Sequence, residues 1–285
     1  MTELAIPGPV VDAAWLAANL AHERLVVVHV AMGPDRYPES MIAGAVPFDI
    51  DGQLSDATNS LPHTMLGPDE FVTQMRRLGI GDDSTVVAYD GVGLFTSPRA
   101  WWMLRAMGFD RVAVLDGGLP AWQEFGGATE PRREDVNARD TTFTPRPRPE
   151  MFVDSAEVAR ALDRGIAVLD ARAPERFAGS VPEPRPGLRA GHMPGAMNVP
   201  FEALQRGGRL RDASELAPIF SGIESTDGRM ITSCGSGVTA CVVALAAHVA
   251  GATNVAVYDG SWTEWGGRDD LPVVTGRGRT PTTAG

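Results

Sequence analysis

The stretch Met230-Ile231-Thr232-Ser233-Cys234-Gly235-Ser236-Gly237-Val238-Thr239-Ala240 sets one thiol between a short apolar strand and a long apolar helix, in a tight glycine-bearing loop. Gly235 and Gly237 permit backbone angles that strain other residues, so consecutive loop amides can turn toward Cys234. A helix beginning near Thr239 adds unpaired N–H groups and the positive end of its dipole. The species such a loop stabilises is a sulfur anion, a thiolate or a persulfide, with the Ser236 hydroxyl beside it. A helix terminus contributes about 0.3–1 kcal/mol, up to ~2 in favourable geometry, so loop amides must supply the rest of what a reactive thiolate needs. The competing reading is a buried, inert cysteine at a strand end, since cysteine is often simply packed.

Composition narrows the function classes. At 285 residues the chain is long enough for two ordinary domains, and 44% hydrophobic with 21% charged residues describes a soluble globular protein. No run approaches a membrane span; the longest apolar helix candidate, Ala240 to Ala250, is interrupted by His248. The N-terminus shows neither the basic start nor the apolar core of a signal peptide, which reads as a cytoplasmic protein. A formal charge of −11 disfavours nucleic acid and anionic membranes as partners. The chain has no lysine, which excludes Schiff-base chemistry and the phosphate-binding lysine of a Walker loop. Its two cysteines, Cys234 and Cys241, are seven apart and fit neither a CxxC redox pair nor a zinc site. No disulfide framework, metal or organic cofactor is implied, and Cys241 reads as a packed helix residue.

The elements that must position Cys234 occur twice. Val86 to Gly91, a glycine-bearing loop, a helix from Arg99 to Gly108 and Val112 to Gly118 have a later twin in Met230 to Cys234, its loop, the helix to Gly251 and Val255 to Ser261. Ile42 to Phe48 likewise echoes Met193 to Phe201. A period of about half the chain means duplication of a whole domain. Each half alternates short β-branched strands with helices, which predicts an α/β fold: two tandem domains, each an open, mainly parallel sheet with helices on both faces. Ligands in such sheets bind beyond the carboxyl ends of the strands, where the Cys234 loop falls. We read residues 1–125 as the N-terminal domain, 126–150 as a linker over the surface, 151–268 as the C-terminal domain and 269–285 as a flexible tail. Asp90 or Gly91 stands in the first half where Cys234 stands in the second, so the N-terminal domain reads as non-catalytic.

Several further motifs fall in a specific order: Asp170-Ala171-Arg172, Glu175-Arg176-Phe177, Pro182-Glu183-Pro184-Arg185, Gly191-His192-Met193-Pro194-Gly195-Ala196, and Val255 through Tyr258-Asp259-Gly260-Ser261-Trp262-Thr263-Glu264-Trp265. With these the chain resembles the rhodanese superfamily, specifically its two-domain sulfurtransferases, over nearly its whole length. Thiosulfate-preferring members resemble Cys-Arg-x-Gly-Val-Thr at the loop. Cys234-Gly235-Ser236-Gly237-Val238-Thr239 is instead similar to the 3-mercaptopyruvate type, in which a hydroxyl that relays a proton replaces a cation beside the sulfur.

The resemblance implies that Cys234 carries sulfur as a persulfide among the loop residues Gly235, Gly237, Val238 and Thr239. It implies that Arg176 and Arg185 grip the substrate carboxylate and keto group; a planar guanidinium suits a carboxylate, and Pro182, Pro184 and Pro186 stiffen the segment around Arg185. Arg172 reads as structural. The family's acid–histidine pair, which reaches the loop serine as a relay, matches Asp51 and His63, with a separation one residue longer than the pattern. His192 reads as a turn residue, and Trp262 and Trp265 read as cleft walls, with core packing as the alternative. The implied activity moves a sulfane sulfur from 3-mercaptopyruvate, a small anionic donor, to cyanide or to a thiol such as thioredoxin or a low-molecular-weight thiol. Thiosulfate is the alternative donor, and a sulfur carrier without turnover the non-enzymatic alternative. A cysteine phosphatase needs an arginine six residues after its nucleophile, where this chain has Ala240.

Overall fold

Short runs of valine, isoleucine, leucine and alanine form strands, and the apolar stretches between them helices, in the computed structural model, which describes residues 4–33, 39–132 and 141–280. The chain divides into two units. One takes the described residues up to Thr58, Met65–Arg148 and Gly207–Leu210; the other takes Asn59–Thr64, Pro149–Arg206 and the described residues from Arg211 onward.

In the N-terminal unit the elements run β1 (Val10–Val11), α1 (Ala13–Asn19), β2 (Leu25–Ala31), β3 (Ser40–Ile42), β4 (Val46–Asp49), α2 (Pro68–Arg77), β5 (Thr85–Tyr89), α3 (Ser97–Ala106), β6 (Val112–Leu115), α4 (Gly118–Glu124) and β7 (Thr129–Pro131). Its five-stranded sheet has the order β1-β6-β5-β2-β4 and is parallel throughout. All seven residues of the interior strand β2 are buried, as expected of a parallel strand covered on both faces. A separate antiparallel ribbon joins β3 to β7.

The remaining elements are β8 (Phe152–Val153), α5 (Ser155–Asp163), β9 (Ala167–Asp170), α6 (Pro174–Ala178), β10 (Met197–Asn198), β11 (Gln205–Arg206), β12 (Arg209–Leu210), α7 (Ala213–Ser221), β13 (Met230–Ser233), α8 (Ala240–Val249), β14 (Val255–Tyr258) and α9 (Ser261–Trp265). The sheet of the C-terminal unit has the order β8-β14-β13-β9-β10, again all parallel, so the strand order of the first unit recurs element for element. Even the first helix cap recurs. Asp12 accepts the Trp15 N–H at 2.7 Å and Asp154 the Glu157 N–H at 2.7 Å, each capping the helix that follows the edge strand. Helix α8 is buried from Ala240 to Ala247, which is why its sequence is apolar all round instead of on one face.

The described part of the linker is tied to the N-terminal unit. Ala128 accepts the Trp122 indole N–H at 2.9 Å, Thr144 bonds Asp82 through both N–H and hydroxyl, and Arg148 pairs with Asp110 at 2.6 Å. Of the tail expected from 269, residues 281–285 lie outside the described residues. His192 and Val274 exchange two backbone hydrogen bonds, and Asn198 donates to Arg279, so this segment adds bridges that composition alone did not announce. No helix among the described residues is long and apolar enough to cross a membrane.

Candidate active site

Paired register places Ser233 of β13 beside Asp170 of β9, so the chain beyond these two strand ends brings Cys234 and Arg172 to the same edge of the C-terminal sheet. Cys234 is buried at 2% exposure, and its loop is held from outside. The Cys234 carbonyl accepts the Trp262 N–H at 3.0 Å, the Gly235 carbonyl accepts the Thr263 N–H at 2.9 Å and hydroxyl at 2.6 Å, and the Gly237 carbonyl accepts the Cys241 thiol at 3.3 Å. In a trans peptide the following N–H points opposite to the carbonyl, so carbonyls drawn outward turn N–H groups inward. The N–H groups of Gly235, Ser236, Val238 and Thr239 take no acceptor among the described residues. That is the inward-facing set of donors that a sulfur anion needs.

The Ser261 hydroxyl completes the frame. It accepts the N–H groups of Cys234 at 3.1 Å and Gly237 at 3.0 Å, and donates to the Tyr258 carbonyl at 2.8 Å. Ser261 adopts φ +49, a left-handed conformation that costs a non-glycine residue energy. Gly237 sits at φ +76, which a side chain would resist. Gly235 is small for a different reason: a Cβ there would stand 3.3 Å from Arg176 Nη2 and 3.8 Å from Arg185 Nη1. Both expected substrate arginines thus lie over the loop.

The Ser236 hydroxyl lies 2.9 Å from His63 Nδ1 and 3.5 Å from Arg185 Nη2. His63 comes from the first half of the sequence, but the segment Asn59–Thr64 belongs to the C-terminal unit. It is buried at 7% exposure and held at φ +61, a second left-handed non-glycine residue at the site. Asp51 belongs to the N-terminal unit, where its carboxylate accepts the Gly33 N–H at 2.7 Å. The structure therefore gathers Cys234, Ser236, His63, Arg176, Arg185 and the loop residues Gly235, Gly237, Val238 and Thr239 in one unit.

Behind the loop runs a chain of ion pairs. Arg172, with a fully buried side chain, pairs with Asp170 at 2.7 Å, with Glu183 at 2.9 Å and with the Gly191 carbonyl at 2.9 Å, and lies 4.1 Å above the Trp262 ring. Burial alone pushes the Arg172 guanidinium down, but Asp170 and then Glu183 outweigh it and raise it above its ordinary value. Glu183, 1% exposed in its side chain, also holds Arg176 at 2.5 Å. Asp170 and Glu183 neutralise Arg172 and Arg176, whereas Arg185 has no carboxylate partner among the described residues. One uncompensated cation is left beside the loop.

Arg172, His192 and Cys241 are all buried: His192 stacks on Phe177 with ring centroids 3.9 Å apart, and Cys241 lies in α8. Trp262 and Trp265 are not cleft walls. They are buried at 0% and 1% exposure, each donating its indole N–H to a backbone carbonyl, Arg189 and Pro272 respectively. Glu183, Ser261 and Thr263 were visible only as letters of motifs. Nothing local marks a glutamate that will be buried between two arginines, or a serine that will bridge two loop amides.

The geometry agrees with the comparisons. A family model described as rhodanese-like domain matches residues 12–125 and 154–268. The chain is 43% identical to 3-mercaptopyruvate sulfurtransferase of Escherichia coli (strain K12) over 274 residues, which cover 92% of this chain and 96% of that one. It is 36% identical over 295 residues to the mitochondrial thiosulfate/3-mercaptopyruvate sulfurtransferase 1 of Arabidopsis thaliana, covering 93% of this chain and 78% of that one. Among solved structures, SseA from Escherichia coli, described as a 3-mercaptopyruvate sulfotransferase, superposes with a TM-score of 0.78 at 39% identity, covering 89% of this chain and 98% of that one. The chain belongs to the rhodanese family and carries two rhodanese-like domains, of which the second holds the cysteine loop.

Proposed function

We propose that the chain is a sulfurtransferase that takes sulfur from 3-mercaptopyruvate onto Cys234 and passes it to a thiol or to cyanide. The observation that carries this reading is the Ser236 hydroxyl, 2.9 Å from His63 and beneath Arg185, in a loop whose Gly235 stands where the resemblance gives thiosulfate-preferring members an arginine. One surplus cation suits a monoanionic carboxylate, and Arg185 presents it.

In the proposed cycle the Cys234 thiolate attacks the donor sulfur. An S–S bond forms, the C–S bond breaks, and its electron pair leaves on carbon as the enolate of pyruvate. The proton released from the donor thiol returns to that carbon, with Ser236 and His63 as the relay. Cys234 remains as a persulfide whose outer sulfur lies among the loop amides. An acceptor thiolate or cyanide then attacks that sulfur and restores the Cys234 thiolate. Asp51 is retained as the acid of the relay on the resemblance alone, and a cytoplasmic setting stays part of the reading. The Arabidopsis relative's name couples thiosulfate with 3-mercaptopyruvate, so thiosulfate is the second donor to test. We expect kcat/KM to favour 3-mercaptopyruvate, and donor-treated protein to gain one sulfur on Cys234 by mass spectrometry. A clear preference for thiosulfate, or no sulfur on Cys234, rejects the proposal.

A further inference from the structure

Ser261, Cys241 and Thr263 touch the loop through side-chain hydrogen bonds, and of these Thr263 doubles a bond that its own backbone N–H already makes. Thr263, in the first turn of α9, spends both its N–H and its hydroxyl on the Gly235 carbonyl, at 2.9 and 2.6 Å. A second donor on one carbonyl polarises its peptide group, and the N–H of that peptide belongs to Ser236. That N–H takes no acceptor among the described residues and points opposite to the pinned carbonyl. Thr263 is half-buried, so its hydroxyl bond competes with solvent and is not forced by the core.

We infer that Thr263 is a positioning residue for sulfur transfer: through the Gly235 carbonyl its hydroxyl aims and strengthens the Ser236 N–H as a donor to the sulfur anion. This rests on the proposed transfer through Cys234. A donor aimed before reaction stabilises charge that develops on sulfur, so its loss slows transfer without weakening the grip of the arginines on the donor.

The test compares Thr263→Val with Thr263→Ser in the full chain. Thr263→Val is expected to slow single-turnover loading of Cys234 from 3-mercaptopyruvate roughly two- to tenfold, with the donor's KM within about twofold, and Thr263→Ser to restore the parent rate. An unchanged rate in Thr263→Val, a loss carried by KM, or an equal loss in Thr263→Ser overturns the inference. The Ser236 amide proton resonance reads the same bond without turnover. It is expected to move to higher field in Thr263→Val and to return in Thr263→Ser, and a resonance that stays put overturns the inference. A parent protein that takes no sulfur from 3-mercaptopyruvate rejects the proposed function, and the resonance then still decides whether Thr263 sets this amide.

Discussion

The two repeats build a cradle of N–H donors at the same point of the same fold and differ in what faces it. In the N-terminal unit the residue after β5 is Asp90, buried at 2% exposure. Its Oδ2 accepts the N–H groups of Phe95, Thr96 and Ser97 at 2.9–3.0 Å and the Ser97 hydroxyl at 2.7 Å, at the start of α3. In the C-terminal unit the residue after β13 is Cys234, and four loop amides there take no acceptor among the described residues. A tethered carboxylate closes its own cradle; under the proposed function the second cradle is open for the sulfur anion formed during turnover. The first repeat has therefore not merely lost a nucleophile. It has filled the site with a tethered acceptor, which caps the start of a helix where the second repeat keeps an open loop.

The largest effect should come from the exchangeable anion. Cys234→Ser is expected to cut sulfur transfer by roughly a thousandfold or more with unfolding unchanged, measured by turnover and by urea denaturation. Retained turnover would mean that another group carries the sulfur. The tethered carboxylate should show the reverse pattern. Asp90→Ala leaves several buried donors unpaired at once and is expected to cost about 2–4 kcal/mol of stability, while kcat/KM of the folded protein stays within about twofold. A loss of activity without a loss of stability would break the comparison, because it would give the first cradle a direct part in turnover.

Much of this contrast was legible in the sequence because it rests on short-range patterns. The alternation of β-branched strands with apolar helices and the offset of half a chain mark both repeats, and aligning them puts Asp90 or Gly91 opposite Cys234. The rest depends on contacts between distant segments. His63 sits in a polar turn of the first half that packs into the C-terminal unit, which no local periodicity encodes. Glu183 lies in a proline-rich stretch that reads as exposed, yet its carboxylate is buried between Arg172 and Arg176. An aromatic residue near a motif suits a cleft wall or the core equally, and for Trp262 its indole N–H on the Arg189 carbonyl and the Arg172 stack decide for the core. The bridge between Val274 and His192 has no sequence signature.

An exchangeable anion also needs a way to be gripped from outside, and Arg185 offers it. Unlike Arg172 and Arg176 it has no carboxylate partner among the described residues, so its removal strands no buried charge. Arg185→Ala is expected to raise the KM for 3-mercaptopyruvate roughly 10- to 100-fold at nearly constant stability, read from steady-state kinetics beside a thermal melt. An unchanged KM would detach this arginine from the donor carboxylate and shift the grip to Arg176 alone.

The smallest effect separates the repeats one residue earlier. Tyr89 ends β5 and Ser233 ends β13, so they occupy matching positions, both buried. The Tyr89 hydroxyl reaches far enough to accept the Ile42 N–H at 3.0 Å, whereas the Ser233 hydroxyl finds no hydrogen-bond partner among the described residues. Removing the two hydroxyls should therefore act with opposite signs. Tyr89→Phe strands a buried backbone N–H and is expected to destabilise by about 1–2 kcal/mol, while Ser233→Ala relieves an unsatisfied hydroxyl and is expected to stabilise by up to about 1 kcal/mol, offset slightly by the lost volume of one oxygen atom. Urea midpoints of the two variants check this, with donor turnover as a control that neither should move. If Ser233→Ala destabilises instead, the hydroxyl beside Cys234 supports the loop, and the second repeat keeps a polar group at the strand end for its chemistry where the first keeps one for its fold.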